Sequence, residues 1–234
     1  MIEIKNLSHS YGTKKIYENL NIDIYQGSVF GLLGKNGVGK STLINILMGY
    51  LKPKNGECLI FGEPSHDLSS NTKEQIALLH EGFISYDYMN IEQIEIFFAP
   101  FYPKWQRKIF YDLVDLMKLD YGQKISSLSF GQKSQVVLGC LFAQDAKLLM
   151  LDDYSMGLDA GYRRLFIDYL KDYIKNTNKT VLITSHVMND LENLIDDMVI
   201  VQKGGIIHKD TMVNFNKDTS TTFEDKFLDF VGKY

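Results

Sequence analysis

Val29-Phe30-Gly31-Leu32-Leu33-Gly34-Lys35-Asn36-Gly37-Val38-Gly39-Lys40-Ser41-Thr42 is the stretch from which the fold can be read. Val29 to Leu33 is a short apolar run that suits a strand buried on both faces. The next eight residues, Gly34 to Ser41, fit G-x-x-x-x-G-K-[ST]. From Ser41 to Tyr50, Leu43, Ile44, Leu47 and Met48 fall on one side of a helix. A strand, a glycine-rich turn and a helix in that order place a nest of backbone N–H groups at the positive end of a helix, which suits a polyphosphate. Gly34, Gly37 and Gly39 let the backbone curl, and Asn36, Val38 and Thr42 add N–H groups to the same nest. Lys40 brings a full charge to the β- and γ-phosphates, and the Ser41 hydroxyl is placed to ligate Mg²⁺. The stretch reads as a binding site for a nucleoside triphosphate, ATP with Mg²⁺.

Toward the N-terminus, Ile2, Ile4 and Leu7 alternate with polar residues, as on an edge strand with one buried face. Ile16 to Tyr25, Cys58 to Phe61 and Ile76 to Leu79 read as further strands. Leu148 to Leu151, Val181 to Thr184, Met198 to Val201 and Ile206 to His208 continue the series. Helical spacing occupies Ile91 to Phe98, Lys104 to Lys118, Gly131 to Ala143, Tyr162 to Asn176 and Met188 to Ile195. Strands alternating with helices imply an α/β fold with a mostly parallel sheet and right-handed crossovers. The aromatic-rich stretch 83–143 reads as a helical insert between 1–82 and 144–210, followed by a tail, 211–234. The end of that tail (Phe223, Phe227, Leu228, Val231) is amphipathic and is expected to pack on its own domain. Asp152 closes the apolar run Leu148-Leu149-Met150-Leu151, where a carboxylate can hold Mg²⁺ directly or through water.

Composition excludes several classes of function. With 234 residues, 45% hydrophobic and 23% charged, the chain has the make-up of a soluble globular protein. A formal charge of −4 argues against nucleic acid as the main partner, because a duplex-binding face is basic. Cys58 and Cys140 have no metal-type spacing and read as buried thiols. The longest apolar run, Val136 to Ala143, is far short of a membrane span. The N-terminal residues lack the layout of a signal peptide. The chain is expected in the cytoplasm, or peripheral to a membrane through another subunit.

Three further elements narrow the class. Leu128-Ser129-Phe130-Gly131-Gln132 resembles the LSGGQ signature of ABC-type ATPases and precedes the Asp152 strand. Gly157-Leu158-Asp159 follows that strand as the family's D-loop does, and Thr184-Ser185-His186 closes the next strand as its switch histidine does. Tyr11, in Ser10-Tyr11-Gly12, stands where the family has an aromatic that stacks on adenine. The order matches from about residue 2 to 210. The chain therefore resembles the nucleotide-binding subunit of an ABC transporter, and Phe101-Tyr102-Pro103-Lys104-Trp105 resembles small bacterial subunits for peptide or antibiotic export. The resemblance implies a P-loop NTPase (RecA-like) core, an N-terminal antiparallel β layer and a helical subdomain.

It also implies a mechanism. Two such domains meet head to tail, so that Ser129, Gly131 and Gln132 of one complete the ATP site of the other, and Asp159 is the D-loop residue. Closure then depends on the γ-phosphate and drives a separate transmembrane permease subunit. Asp153 and His186 are the catalytic pair, and Ser41, Asp152 and Glu81 the metal-facing residues. Four positions depart from the family pattern. Asp153 stands where Glu is usual, which shortens the catalytic arm and predicts slow hydrolysis with intact ATP binding. Tyr154 replaces Pro, Phe130 replaces Gly in the signature, and Glu81 replaces Gln. Such a site is expected either in a homodimer tuned to slow cycling or in a heterodimer with a second ATP-binding subunit. The competing class is a soluble or regulatory ABC ATPase that does not itself drive transport.

Overall fold

The computed structural model describes residues 1–80, 86–155, 158–175, 177–185, 188, 190–217 and 221–232. Among these, the strands are β1 (Ile2–Tyr11), β2 (Lys14–Ile24), β3 (Val29–Leu33), β4 (Asn55–Ile60), β5 (Glu63–Pro64), β6 (Ile76–Leu79), β7 (Leu148–Leu151), β8 (Thr180–Ser185), β9 (Asp197–Gln202) and β10 (Gly205–Thr211). The α-helices are α1 (Lys40–Leu47), α2 (Ser70–Lys73), α3 (Ile91–Phe98), α4 (Arg107–Leu116), α5 (Phe130–Ala143), α6 (Ala160–Lys175), α7 (Met212–Phe215) and α8 (Phe223–Val231).

The larger sheet has the order β10-β9-β3-β8-β7-β6. β9, β3, β8, β7 and β6 pair in parallel, and β10 pairs antiparallel on β9. β3, β6, β7, β8 and the middle of β9 are buried on both faces because both are covered, whereas edge strand β10 is not. On β3, Phe30 and Leu32 face one cluster with α1 and the antiparallel layer, while Val29 and Leu33 face another with α5, α6 and α8. On β7, Leu148 and Met150 take the first face, and Leu149 and Leu151 the second. This is the period-two alternation of a strand read on two buried sides.

The smaller sheet is antiparallel, β2-β1-β4-β5. Here the edge-strand expectation for Ile2 to Leu7 is corrected, because β1 pairs with β2 on one side and β4 on the other. Alternation of apolar side chains reports which face is buried, not how many neighbours the backbone has. A second correction concerns Met188 to Ile195. Of its described residues, Asp190–Leu194 form turns rather than a helix. Leu191 N–H donates to Met188 O and Leu194 N–H to Leu191 O, each at 2.9 Å. Consecutive turns with bonds three residues apart bury Met188, Leu191 and Leu194 as well as a helix would, so spacing alone does not separate the two.

Between β6 and β7, α3, α4 and α5 enclose their own cluster around Ile94, Phe110, Ile125 and Val136. The run Val136 to Ala143 lies in α5, and no described helix is long and apolar enough to cross a membrane. Both cysteines are buried free thiols. Burial pushes the Cys58 thiol up to about 12.

Candidate nucleotide site

In a parallel sheet the carboxyl ends of neighbouring strands share one rim, and ligands gather there. β3, β8 and β7 are consecutive neighbours. They therefore bring Gly34, Ser185 and Asp152 to the same rim. A cavity of about 340 Å³ opens on it. Its floor is Asn36, Gly37, Gly39, Lys40, Ser41 and Thr42, and its wall is Asp152 and Asp153. Tyr11, from the end of β1, and Lys14 and Ile16, from the start of β2, complete the mouth.

The loop geometry follows from its glycines. Gly37 has φ 75° and Gly39 φ 121°, conformations that L side chains avoid. Gly34 serves differently: a Cβ there would lie 2.6 Å from Val201 O, so glycine is required for the loop to pack on β9. Gly39 is the N-cap of α1, which has no side-chain cap and no acidic residue in its first turn. Its leading N–H groups are thus left for an anion. The buried Lys40 folds back into the loop, with Nζ donating to Gly34 O at 2.7 Å and Lys35 O at 3.1 Å. Tyr17, from β2, donates its hydroxyl to Gly39 O at 2.8 Å and fixes the turn from below. Burial, with Asp152 nearby, pushes the Tyr17 phenol up, so it remains a donor.

Asp152 is buried and accepts a hydrogen bond from Thr184 Oγ1 at 2.8 Å. The same hydroxyl accepts from Asp153 N–H at 2.9 Å. One threonine on β8 therefore orients both carboxylate residues at the end of β7. Asp153 has φ 46° and accepts from Ser155 Oγ at 3.0 Å. Thr184, Ser155, Lys14 and Tyr17 were not assigned roles from sequence. Only the end-of-strand position of Thr184 hinted at one, because their proximity depends on strand order.

The residue types fit Mg²⁺ with a triphosphate. Ser41 and Asp152 supply two oxygens to one cavity, and Mg²⁺ is ordinarily held by one or two protein oxygens, waters and phosphates. No group of three or more metal-binding side chains occurs among the described residues. Val38 turns its side chain into the core, so only its backbone can serve a ligand. Tyr11 is half exposed at the mouth and meets His9 edge-to-face at 5.0 Å. Glu81, Gly157 and His186 lie outside the described residues.

The remaining sequence-assigned residues form a second constellation, none of which lines the cavity. Ser129 caps α5 reciprocally: its hydroxyl accepts from Gln132 N–H at 3.3 Å, and Gln132 Oε1 accepts from Ser129 N–H at 2.9 Å. Phe130 is half exposed at the first helical position. Gly131 has a packing reason, because a Cβ there would fall inside the contact radius of the Tyr162 ring. Asp159 caps α6, accepting from Tyr162 N–H at 3.0 Å. Tyr154 also acquires a physical role. Buried against Phe166, it donates to Asp190 Oδ2 at 3.3 Å, which also accepts from Arg163 Nε at 3.1 Å.

A parallel sheet with a phosphate-type loop after β3, an acidic pair after β7 and a capped signature helix defines a nucleotide-binding domain of the P-loop class. The family described as ABC transporter matches residues 17–155. The chain belongs to that family, as its ATP-binding subunit. It is similar to the uncharacterised ABC transporter ATP-binding protein YhcH of Bacillus subtilis (strain 168), 29% identical over 95% of this chain and 74% of the relative. It is also similar to the bacitracin transport ATP-binding protein BcrA of Bacillus licheniformis, 26% identical over 89% of this chain and 69% of the relative. Among solved structures, the dimeric post-hydrolysis cassette MJ0796 bound to ADP and Pi shares the fold. Its TM-score is 0.77 at 21% identity, covering 91% of this chain and 99% of that one.

Proposed function

We propose that this subunit binds and hydrolyses ATP with Mg²⁺ to drive transport, with export as the direction, through separate transmembrane permease subunits at the inner face of the cell membrane. The observation that carries the reading is the division of the site within one chain. The phosphate loop and acidic pair line one cavity, while Ser129, Phe130 and Gln132 stand outside it at the N-terminus of α5. A head-to-tail dimer brings the positive end of α5 of one copy to the phosphates held by the other. Contacts present only with the γ-phosphate then make closure depend on ATP, and hydrolysis releases it. The bacitracin-transport relative supports a role in transport, and the ADP-bound dimeric cassette supports the assembly.

In the closed site Lys40 and the leading N–H groups of α1 bind the phosphates. Ser41 and Asp152, and in this reading Glu81, would hold the metal. The metal would offset phosphate charge. Tyr11 stacks on the base. Asp153, oriented through Thr184, takes or orients the proton of the attacking water, with His186 as its companion. The test is ATP turnover and light scattering of the purified chain with Mg²⁺. ATP-dependent dimers with steady turnover support a homodimer. ATP binding without turnover or dimers would point to a heterodimer, and absence of ATP binding would sink the reading. Copurification with a multi-span protein and flux in vesicles separate transport from a purely regulatory ATPase.

A further inference from the structure

Helix α8 ends on the phosphate loop. The last carbonyls of a helix have no partner in its own ladder. Two here are taken up by side chains of the nucleotide core: Lys35 Nζ donates to Gly232 O at 2.8 Å, and Gln202 Nε2 to Phe230 O at 3.2 Å. A lysine at this end also meets the negative pole of the helix. α8 is firmly seated, with Phe223, Phe227 and Val231 buried in the main core. The Phe230 ring stacks on His208 at 4.2 Å, and Lys226 Nζ donates to Phe215 O at 2.8 Å.

Lys35 is the second residue of the loop, and its own carbonyl accepts from Lys40 Nζ. Its main chain is thus held from inside by the phosphate-binding lysine, and its side chain from outside by α8. The loop beyond it turns through two positive-φ glycines, whose backbone freedom must be given up when a ligand binds.

We propose that Lys35 is a positioning residue for nucleotide binding and that α8 is its clamp. Docking of α8 on Lys35 holds the first turn of the loop in its phosphate-binding form, which lowers the ordering cost of binding. Linkage makes the effect reciprocal: ATP must stabilise the docked α8 by the same factor by which α8 strengthens ATP binding. The inference rests on the reading that this loop binds ATP.

The experiment is a titration with a fluorescent ATP analogue on wild type, Lys35→Met and Lys35→Arg. It is paired with amide hydrogen exchange over residues 223–232 with and without ATP. Loss of one charge-assisted hydrogen bond predicts binding about 3- to 10-fold weaker in Lys35→Met. Lys35→Arg, which keeps the cation, restores most of it. In wild type, ATP slows exchange in α8, and Lys35→Met abolishes that slowing. Analogue binding by Lys35→Met within about twofold of wild type overturns the proposal. So does α8 exchange in wild type that is indifferent to bound ATP, a result available even if the variant fails to fold. If wild type binds no ATP, the nucleotide reading itself fails. If it binds and α8 does not respond, only the clamp fails.

Discussion

At the residue scale, the Thr184 hydroxyl carries more than its sequence position suggests. It donates to Asp152 and accepts from Asp153 N–H, using both sides of one hydroxyl. Thr184→Val keeps the shape and leaves both partners short of a bond. We expect a stability loss of about 1–3 kcal/mol by denaturant titration. Turnover at saturating ATP is expected to fall by roughly 10- to 100-fold, with a smaller change in ATP affinity. Asp153 adds a backbone consideration to its short arm. Its φ of 46° is a region that Asp and Asn tolerate through local hydrogen bonding, here with Ser155. Asp153→Asn should keep the backbone and ATP binding while turnover drops by about 10²–10⁴-fold. Asp153→Glu should raise turnover if the arm limits it, at about 1 kcal/mol of backbone strain. Unchanged or lower turnover in a folded Asp153→Glu would remove arm length as the limit. That Lys40, Ser41 and Asp152 belong at one end of the sheet was legible, because the first two sit in a motif of fixed spacing and the third closes an apolar strand. Thr184 and Ser155 were not legible, since a hydroxyl acquires a role only through its neighbours.

At the scale of elements, α5 shows that a short signature can carry a structural role of its own. Ser129 and Gln132 close a capping box, so the motif is the start of a helix. Ser129→Ala should cost about 1 kcal/mol of stability, read from the unfolding midpoint. In our reading it also loses ATP-dependent dimers. Gly131 lets α5 approach the Tyr162 ring on α6. Gly131→Ala should therefore destabilise the chain by about 1–3 kcal/mol through overpacking. Loss of dimers from Gly131→Ala at unchanged stability would instead place its whole role at the partner. The helices with strong amphipathic spacing were readable, with shifts of a few residues at their ends. Met188 to Ile195 was not, since its apolar residues sit three and four apart in turns that bury them equally well.

At the scale of the whole molecule, the two faces of the large sheet divide the chain's apolar residues into two clusters, with a third among α3, α4 and α5. Phe227 brings the tail into the first cluster, as its amphipathic pattern implied. Phe227→Ala is expected to cost about 3–5 kcal/mol in thermal or denaturant unfolding. Cooperative unfolding unchanged by that substitution would mean that α8 contributes little to the folded domain. Read along the chain alone, the strand–loop–helix motif, the acidic end of β7, the α/β class and the covered strands are already specified. Each follows from local spacing and from which side chains can face water. The place of β8 between β3 and β7, the inner position of β1 and the meeting of Lys35 with Gly232 at the end of α8 exist only in the folded chain. Those are pairings between residues far apart in the chain. Hydrophobic periodicity says that a face is buried, while the partner that covers it is fixed by strand order and chain crossings.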